Sequence, residues 1–202
     1  SLILLLISSS FFQNKIILQL SQKFTENTNQ KVLIEKINLN WDGSIEFRNF
    51  YLGDHHNDTL IYISKLNTSL KNLKNIKNRS FEFSDLDAQG LYLKIKKYKG
   101  DKTHSLKILL DKLKKKNNNK LKSLFVINKM FLDKMTFVYS DENIEKQNPL
   151  KLNSLKIKAE NFNLKNDEFT LSLKKIEGLI DSSFNKKING SALVGYKPGL
   201  VK

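Results

Sequence analysis

Apolar and polar residues alternate along most of the chain after residue 30, and the alternation has a regular interruption. Two apolar residues separated by one residue are followed by a second such pair, which begins three residues after the first pair ends. The last position of the second pair also accepts a small residue. Period-two alternation puts one face of a β-strand on an apolar interior and the other on water. The copies are Val32, Ile34, Ile37, Leu39; Ile45, Phe47, Phe50, Leu52; Ile61, Ile63, Leu66, Thr68; Phe81, Phe83, Leu86, Ala88; Phe125, Ile127, Met130, Leu132; Leu150, Leu152, Leu155, Ile157; and Leu171, Leu173, Ile176, Gly178.

The three-residue step would turn the later apolar residues to the wrong face of a regular strand. A β-bulge absorbs the extra residue and keeps the apolar set on one side. A tight bend between two short strands is the alternative. Further alternating stretches fill the gaps: Leu91, Leu93, Ile95; Met135, Phe137, Tyr139; and Phe162, Leu164.

Turn signals separate the alternating stretches. They are Asp42-Gly43, Gly53-Asp54, Gln89-Gly90, Gly100-Asp101 and Asn189-Gly190. The pattern therefore predicts a mainly β protein: a long, curved antiparallel sheet or groove, with one apolar and one lysine-rich face, after an N-terminal helix.

The start of the chain is apolar and then amphipathic. Leu2 to Phe12 carry no charge, but as a helix they span only about 16 Å, whereas a bilayer core needs about 30 Å. We interpret them as the second half of a membrane-spanning helix; a signal-peptide core and an ordinary core helix are the alternatives. Apolar residues at helical spacing from Ile16 to Phe24 predict an amphipathic helix that ends near Asn27 to Asn29.

One stretch interrupts the sheet pattern. Leu106, Ile108, Leu109, Leu110 and Leu113 have helical spacing, and a polar run to about Lys120 comes next. The predicted organisation is an anchor and amphipathic helix over 1–30, a first β segment over 31–102, a helical insertion over 103–120 and a second β segment over 121–202.

Composition limits the chemistry. The absence of Cys excludes disulfides, a thiol nucleophile and Cys-ligated metal sites. The net charge is +15, yet of the 35 basic residues only Arg48 and Arg79 are arginine. Nucleic-acid binders favour arginine for bidentate contacts, so we interpret the lysine excess as a solvated surface and expect no nucleic-acid partner.

A one-faced sheet of this length must have its apolar face covered, and the sequence offers little helix to cover it. The sheet could close as a barrel, fold as a sandwich, or curl into a groove that holds acyl chains. The residues predicted to contact lipid in such a groove are Ile34, Ile37, Ile45, Phe47, Ile63, Leu66, Phe83, Leu86, Ile127 and Leu155.

The run from Gln30 to Tyr62, QKVLIEKINLNWDGSIEFRNFYLGDHHNDTLIY, resembles the start of the periplasmic part of TamB-like proteins of Gram-negative bacteria, in the wider AsmA-like group. The resembling features include a helix directly before it and the element Asp58-Thr59-Leu60. The segment from Leu86 to Asp101 is similar to the next segment of such proteins.

The resemblance implies a single-pass inner-membrane protein with its bulk in the periplasm and no enzyme activity, catalytic residues, metal or cofactor. It implies phospholipid transport, or outer-membrane protein assembly and secretion, along an apolar β-groove. The implied partners are phospholipid acyl chains, the inner membrane through the N-terminal helix, and an outer-membrane assembly barrel through a missing C-terminal part. The chain is accordingly interpreted as an N-terminal fragment.

Three other functions stay open. The net charge allows a basic nucleic-acid-binding protein, and a sheet that covers itself allows an envelope scaffold without lipid cargo. The cluster Asp54, His55, His56 and Asp58 suggests a hydrolase, but a polar turn explains it, because metal sites need ligands from separate elements. Trp41 is interpreted as a packing residue of the turn at Asp42-Gly43.

Overall fold

The computed structural model describes residues 10–40, 42–71, 80–115, 124–145, 148–165, 168–180 and 186–196. These residues form two α-helices and eight β-strands. The helices are α1 (Ser10–Thr28) and α2 (Ser105–Lys115). The strands are β1 (Val32–Leu39), β2 (Ser44–Gly53), β3 (Thr59–Leu70), β4 (Ser80–Lys97), β5 (Leu124–Asp141), β6 (Leu150–Lys165), β7 (Glu168–Ile180) and β8 (Lys186–Tyr196). The described part of the protein is thus mainly β, as the alternation predicts.

The described strands form a single open sheet in which they lie side by side in chain order, from β1 at one edge to β8 at the other. Neighbouring strands are antiparallel with one exception: β4 and β5 run parallel, with Ser80 beside Leu124 and Lys97 beside Asp141. The prediction of a wholly antiparallel sheet was therefore wrong. The helical insertion carries the chain back to the starting end of β4, and such a crossover makes the next strand parallel.

A line of irregular residues crosses β1 to β5. In β1 to β3 it falls at the three-residue step of the apolar pattern, and in β4 and β5 it falls between the end of a copy and the next alternating stretch. The regular pairs on either side of this line keep one register in each strand pair. The residues brought side by side are Glu35, Asn49, Ser64, Gly90 and Lys134. We call this row the bulge line. Because the pairing stays one-to-one at this level in all five strands, none slips relative to its neighbour there.

Several residues on this line, and one in the adjoining strand, have left-handed backbone. Asn49 has φ 48°, Gly90 has φ 63° and Lys134 has φ 55°, and Ser154 in the adjoining strand β6 has φ 51°. A left-handed residue inside a strand is a device of β-bulges. The strands continue through the step, which excludes a tight bend between two short strands. The register shifts that mark a bulge occur at the step in β6 and β7, whereas the pairing stays one-to-one at the step in β1 to β3.

Two predicted turns were wrong, because each lies inside a long strand. Gln89-Gly90 lies inside β4, where the positive φ of Gly90 serves the bulge line and not a chain reversal. Asn189-Gly190 lies inside β8, paired with Glu177 and Ile176 of β7. The alternating stretches before and after Gly90 therefore belong to one long strand.

The two helices pack on the part of the sheet that β1 to β4 form. Leu109 of α2 is buried with Val32, Leu52 and Leu60, and Phe24 of α1 packs against this cluster. Lys112 Nζ of α2 donates to Thr28 O, the last residue of α1, at 2.8 Å. A lysine at a helix C-terminus satisfies a free carbonyl and complements the helix dipole.

The end of α1 at Thr28 confirms the predicted helix end near Asn27 to Asn29. Among the described residues, no helix combines the length and apolar character needed to cross a membrane. Most of the predicted anchor, Leu2 to Phe12, and the predicted packing residue Trp41 lie outside the described residues.

The bulge line generates a stability prediction for Gly90. A Cβ at this position would collide with Ser64 Oγ, whereas a Cβ at Gly100, also at positive φ (87°), would meet nothing within 4 Å. We expect Gly90→Ala to lower the free energy of unfolding by about 1–3 kcal/mol more than Gly100→Ala, because overpacking adds to a shared backbone strain. Urea unfolding followed by circular dichroism measures both. Equal losses in the two variants would show that the bulge line tolerates a side chain there.

Candidate functional site

The residues predicted to contact lipid lie on strands β1 to β6, in rows that run across the sheet. Phe47 stands between Ile37 and Leu66. On the other side of the bulge line, Phe50 joins Ile34 to Ile63. The bulge line keeps both rows on one face, which we call the apolar face.

The apolar rows continue across the next strands of the sheet. Leu66 pairs with Ala88, which pairs with Leu132, which pairs with Ile157. In other rows Ile45 is joined through Thr68 to Leu86, Phe83 pairs with Ile127, and Leu155 pairs with Met135. The sheet thus brings together side chains that are far apart in sequence.

Burial is uneven over the apolar face. Ile37, Leu155 and Ile127 are buried, and the other predicted lipid contacts are half-buried. Of the two helices in the described part of the chain, α1 packs along β1 and α2 against β4. The apolar rows therefore continue onto β5 and β6, beyond the strands on which these helices mainly pack.

The opposite face carries the charged side chains, many of them in ion pairs. Glu46 Oε1 lies 2.7 Å from Arg48 Nε, and Glu46 Oε2 lies 3.3 Å from Lys65 Nζ. The hydrogen bond from Arg48 is the main cause of a lowered Glu46 pKa. Similar pairs join Lys174 to Glu160 and Lys175 to Glu177. This is the solvated lysine-rich face that the alternation predicts.

A second polar region lies at one end of the sheet, where the β2–β3 turn meets the segment after β4. Its centre is Asp54, which is only 2% exposed. Asp54 Oδ2 accepts a hydrogen bond from Tyr98 Oη at 2.7 Å, and Oδ1 accepts from the backbone N–H groups of His56 and Asp58. Burial and, next, the Asp54 carboxylate raise the pKa of Tyr98 well above its ordinary value.

The family-like element Asp58-Thr59-Leu60 joins this region to the core. Asp58 Oδ2 accepts from Lys94 Nζ at 2.6 Å, and Oδ1 accepts from Thr59 N at 2.7 Å. Burial opposes ionisation of Asp58, but these hydrogen bonds outweigh it and lower the pKa of Asp58. Leu60 is fully buried in the core beneath the helices. In this protein the element starts β3 and fixes its entry into the sheet.

The histidines of the turn gain a partner that the sequence analysis missed. Asp101 Oδ2 lies 2.7 Å from His55 Nε2 and 3.9 Å from His56 Nε2. Because β3 and β4 are antiparallel, the residues before β3 and those after β4 lie at the same end of the sheet. The turn signal at Gly100-Asp101, combined with that pairing, was the signal that could have found Asp101.

No family model matches the chain, and no curated protein matches it. The resemblance to TamB-like proteins therefore stays a prediction from the sequence pattern, and the function must be argued from the residues and their geometry.

The hydrogen bond between Asp54 and Tyr98 generates a second prediction. Asp54→Asn should lower the free energy of unfolding by about 1–3 kcal/mol, because a buried amide cannot accept every hydrogen bond that the carboxylate accepts. Tyr98→Phe is the matched change, as it removes only the hydroxyl. In a double-mutant cycle measured by urea unfolding, we expect the double variant to lose less than the two single losses combined. Strict additivity would show that the two groups do not stabilise each other.

Proposed function

We propose that this chain is part of a non-enzymatic, TamB-like protein of the bacterial inner membrane, with its bulk in the periplasm. In this proposal the curved apolar face forms a groove that holds phospholipid acyl chains during outer-membrane biogenesis. The observation that carries the proposal is the continuity of the apolar rows, which cross strand after strand of an open sheet beyond the packed helices.

The half-buried state of the apolar residues supports an apolar occupant. A row such as Phe47, Leu66 and Ile157 combines side chains that are neither fully covered nor free in water. Burial of a methylene group is worth about 0.8 kcal/mol, so about ten methylenes of one acyl chain would contribute about 8 kcal/mol. Acyl chains would thus supply apolar contacts that the described helices do not.

The dimensions of the sheet also suit lipid. Eight strands about 4.8 Å apart place the two edges of the sheet about 34 Å from each other along the row direction. The hydrocarbon core of a bilayer is about 30 Å thick. An acyl chain could therefore lie across several strands within the apolar rows, with its head group kept in water.

The other parts of the proposal come from the resemblance. They are an inner-membrane anchor through the N-terminal helix and an outer-membrane assembly barrel as a partner, with a role in phospholipid transport or in protein assembly and secretion. The ion pairs on the opposite face, for example Lys174 with Glu160, fit a solvated surface and give no support to a nucleic-acid partner.

Site-specific photo-cross-linking tests whether lipid contacts the apolar face. Benzoylphenylalanine would replace Phe47 or Ile157 on the apolar face, and Arg48 or Lys158 next to them on exposed positions. After expression in a Gram-negative bacterium fed radioactive phosphate, we expect ultraviolet light to attach labelled phospholipid at the first two positions and much less at the other two. The two positions of each pair are neighbours on one strand, so their labelling differs only through the face of the sheet that carries the probe.

A charged substitution provides the second arm. Phe47→Asp should reduce lipid capture at position 157, because a carboxylate among the apolar rows is costly to bury. Equal labelling on both faces, or none at either apolar position, would contradict the proposal. The absence of lipid with a folded protein would favour the envelope scaffold.

A further inference from the structure

Two imidazoles and one carboxylate converge between the β2–β3 turn and the segment after β4. The possible ligand atoms of His55, His56 and Asp101 all lie within 4.8 Å of one another. We propose that these three residues, the His–His–Asp cluster, bind a divalent transition-metal ion of the Zn²⁺ type. This site is independent of the lipid function proposed above.

The distances fit an ion after small movements of side chains. In a tetrahedral zinc site with bonds of about 2.0–2.1 Å, ligand atoms lie about 3.3 Å from each other. The Asp101 Oδ2 atom lies 2.7 Å from His55 Nε2 and 3.9 Å from His56 Nε2, so the two distances bracket that value.

The imidazole of His55 has few other commitments. Its side chain is 15% exposed, and Asp101 is its hydrogen-bonding partner. Its Nδ1 atom is buried and has no hydrogen-bond partner among the described residues. A metal ion would therefore displace one contact with Asp101 and no other hydrogen bond of this ring.

The backbone holds the ligands in place before any ion binds. Asp54 Oδ1 fixes the N–H groups of His56 and Asp58, and Asp54 N donates to Asp58 O, which closes the turn. Asp101 N donates to Tyr98 O at 3.0 Å. The Tyr98 ring lies 3.9 Å from the ring centre of His56 and 5.5 Å from that of His55. Such preorganisation reduces the entropy lost on binding.

The neighbouring charges permit a cation. Lys94 is paired with Asp58, and Lys96 is paired with Glu142 at 2.7 Å while its Nζ lies over the Tyr98 ring. The Asp54 carboxylate is already engaged by a hydroxyl and two N–H groups, so it does not serve as a ligand.

Two nitrogens and one oxygen form a donor set that suits Zn²⁺ and leaves one coordination position open. The side chain of His56 is half exposed, so water can reach a bound ion. A bound ion would join the β2–β3 turn to the segment that leads from β4 into α2. Its role would be to fasten the sheet to the helix that covers its core.

Zinc titration of the full chain in detergent tests the site. Isothermal calorimetry should show one Zn²⁺ per chain, and His56→Asn and Asp101→Asn should each weaken binding by about 100-fold or more, since the loss of even an outer-shell partner costs 10–100-fold. The matched control is His104→Asn. It removes the third histidine, whose Nδ1 caps α2 by accepting from Lys107 N, and asparagine is also a good cap.

Co²⁺ provides a readout that does not depend on stability. The visible bands of tetrahedral Co²⁺ should appear with the wild type and with His104→Asn, and should be absent from folded His56→Asn and Asp101→Asn. Circular dichroism establishes that each variant is folded. The proposal is overturned if the wild type binds no Zn²⁺, or if the cluster variants bind as tightly as His104→Asn does.

Discussion

The structure depends on keeping apolar side chains on one face of long strands. A strand of regular pleat alternates faces at every residue, so a single three-residue step would expose every apolar residue beyond it. The chain meets this constraint with residues such as Asn49, Gly90 and Lys134, which adopt left-handed backbone at one level of the sheet. Because neighbouring strands take the step together, the hydrogen-bonded register survives and the apolar rows remain continuous.

The same constraint shapes both proposed sites. Continuous rows on one face create the surface to which we assign acyl chains, and the covering helices lie over the part of the sheet that β1 to β4 form. The antiparallel pairing of β2 with β3 and of β3 with β4 also brings the β2–β3 turn beside the segment after β4. The buried carboxylate of Asp54 then orders that junction and presents His55, His56 and Asp101 to one another. The proposed lipid surface and the proposed metal site are thus separate products of one sheet.

Local patterns predicted the strands and helices well, because period-two and helical spacing are properties of neighbouring residues. The apolar set, the end of α1 near Thr28 and the helical insertion all follow from such spacing. The parallel pairing of β4 with β5 did not follow, since it depends on where the insertion returns the chain. Gly90 was mistaken for a turn because a glycine at positive φ serves a reversal and a bulge equally well. Asp101 was missed because its partners lie in another connection of the sheet.

The parallel seam has a consequence for folding. The seam is the parallel pairing of β4 with β5. Strands β1 to β4 pair as antiparallel neighbours that are close in sequence, and strands β5 to β8 pair in the same way. The pairing of Ser80 with Leu124 must instead wait until the whole crossover has closed, and contacts of large sequence separation form slowly. Two hairpin arrays can therefore form early and independently, and their joining along β4 and β5 becomes the slow step. Until that step is complete, the edges of β4 and β5 that later pair with each other are free, and a chaperone or another chain can bind them.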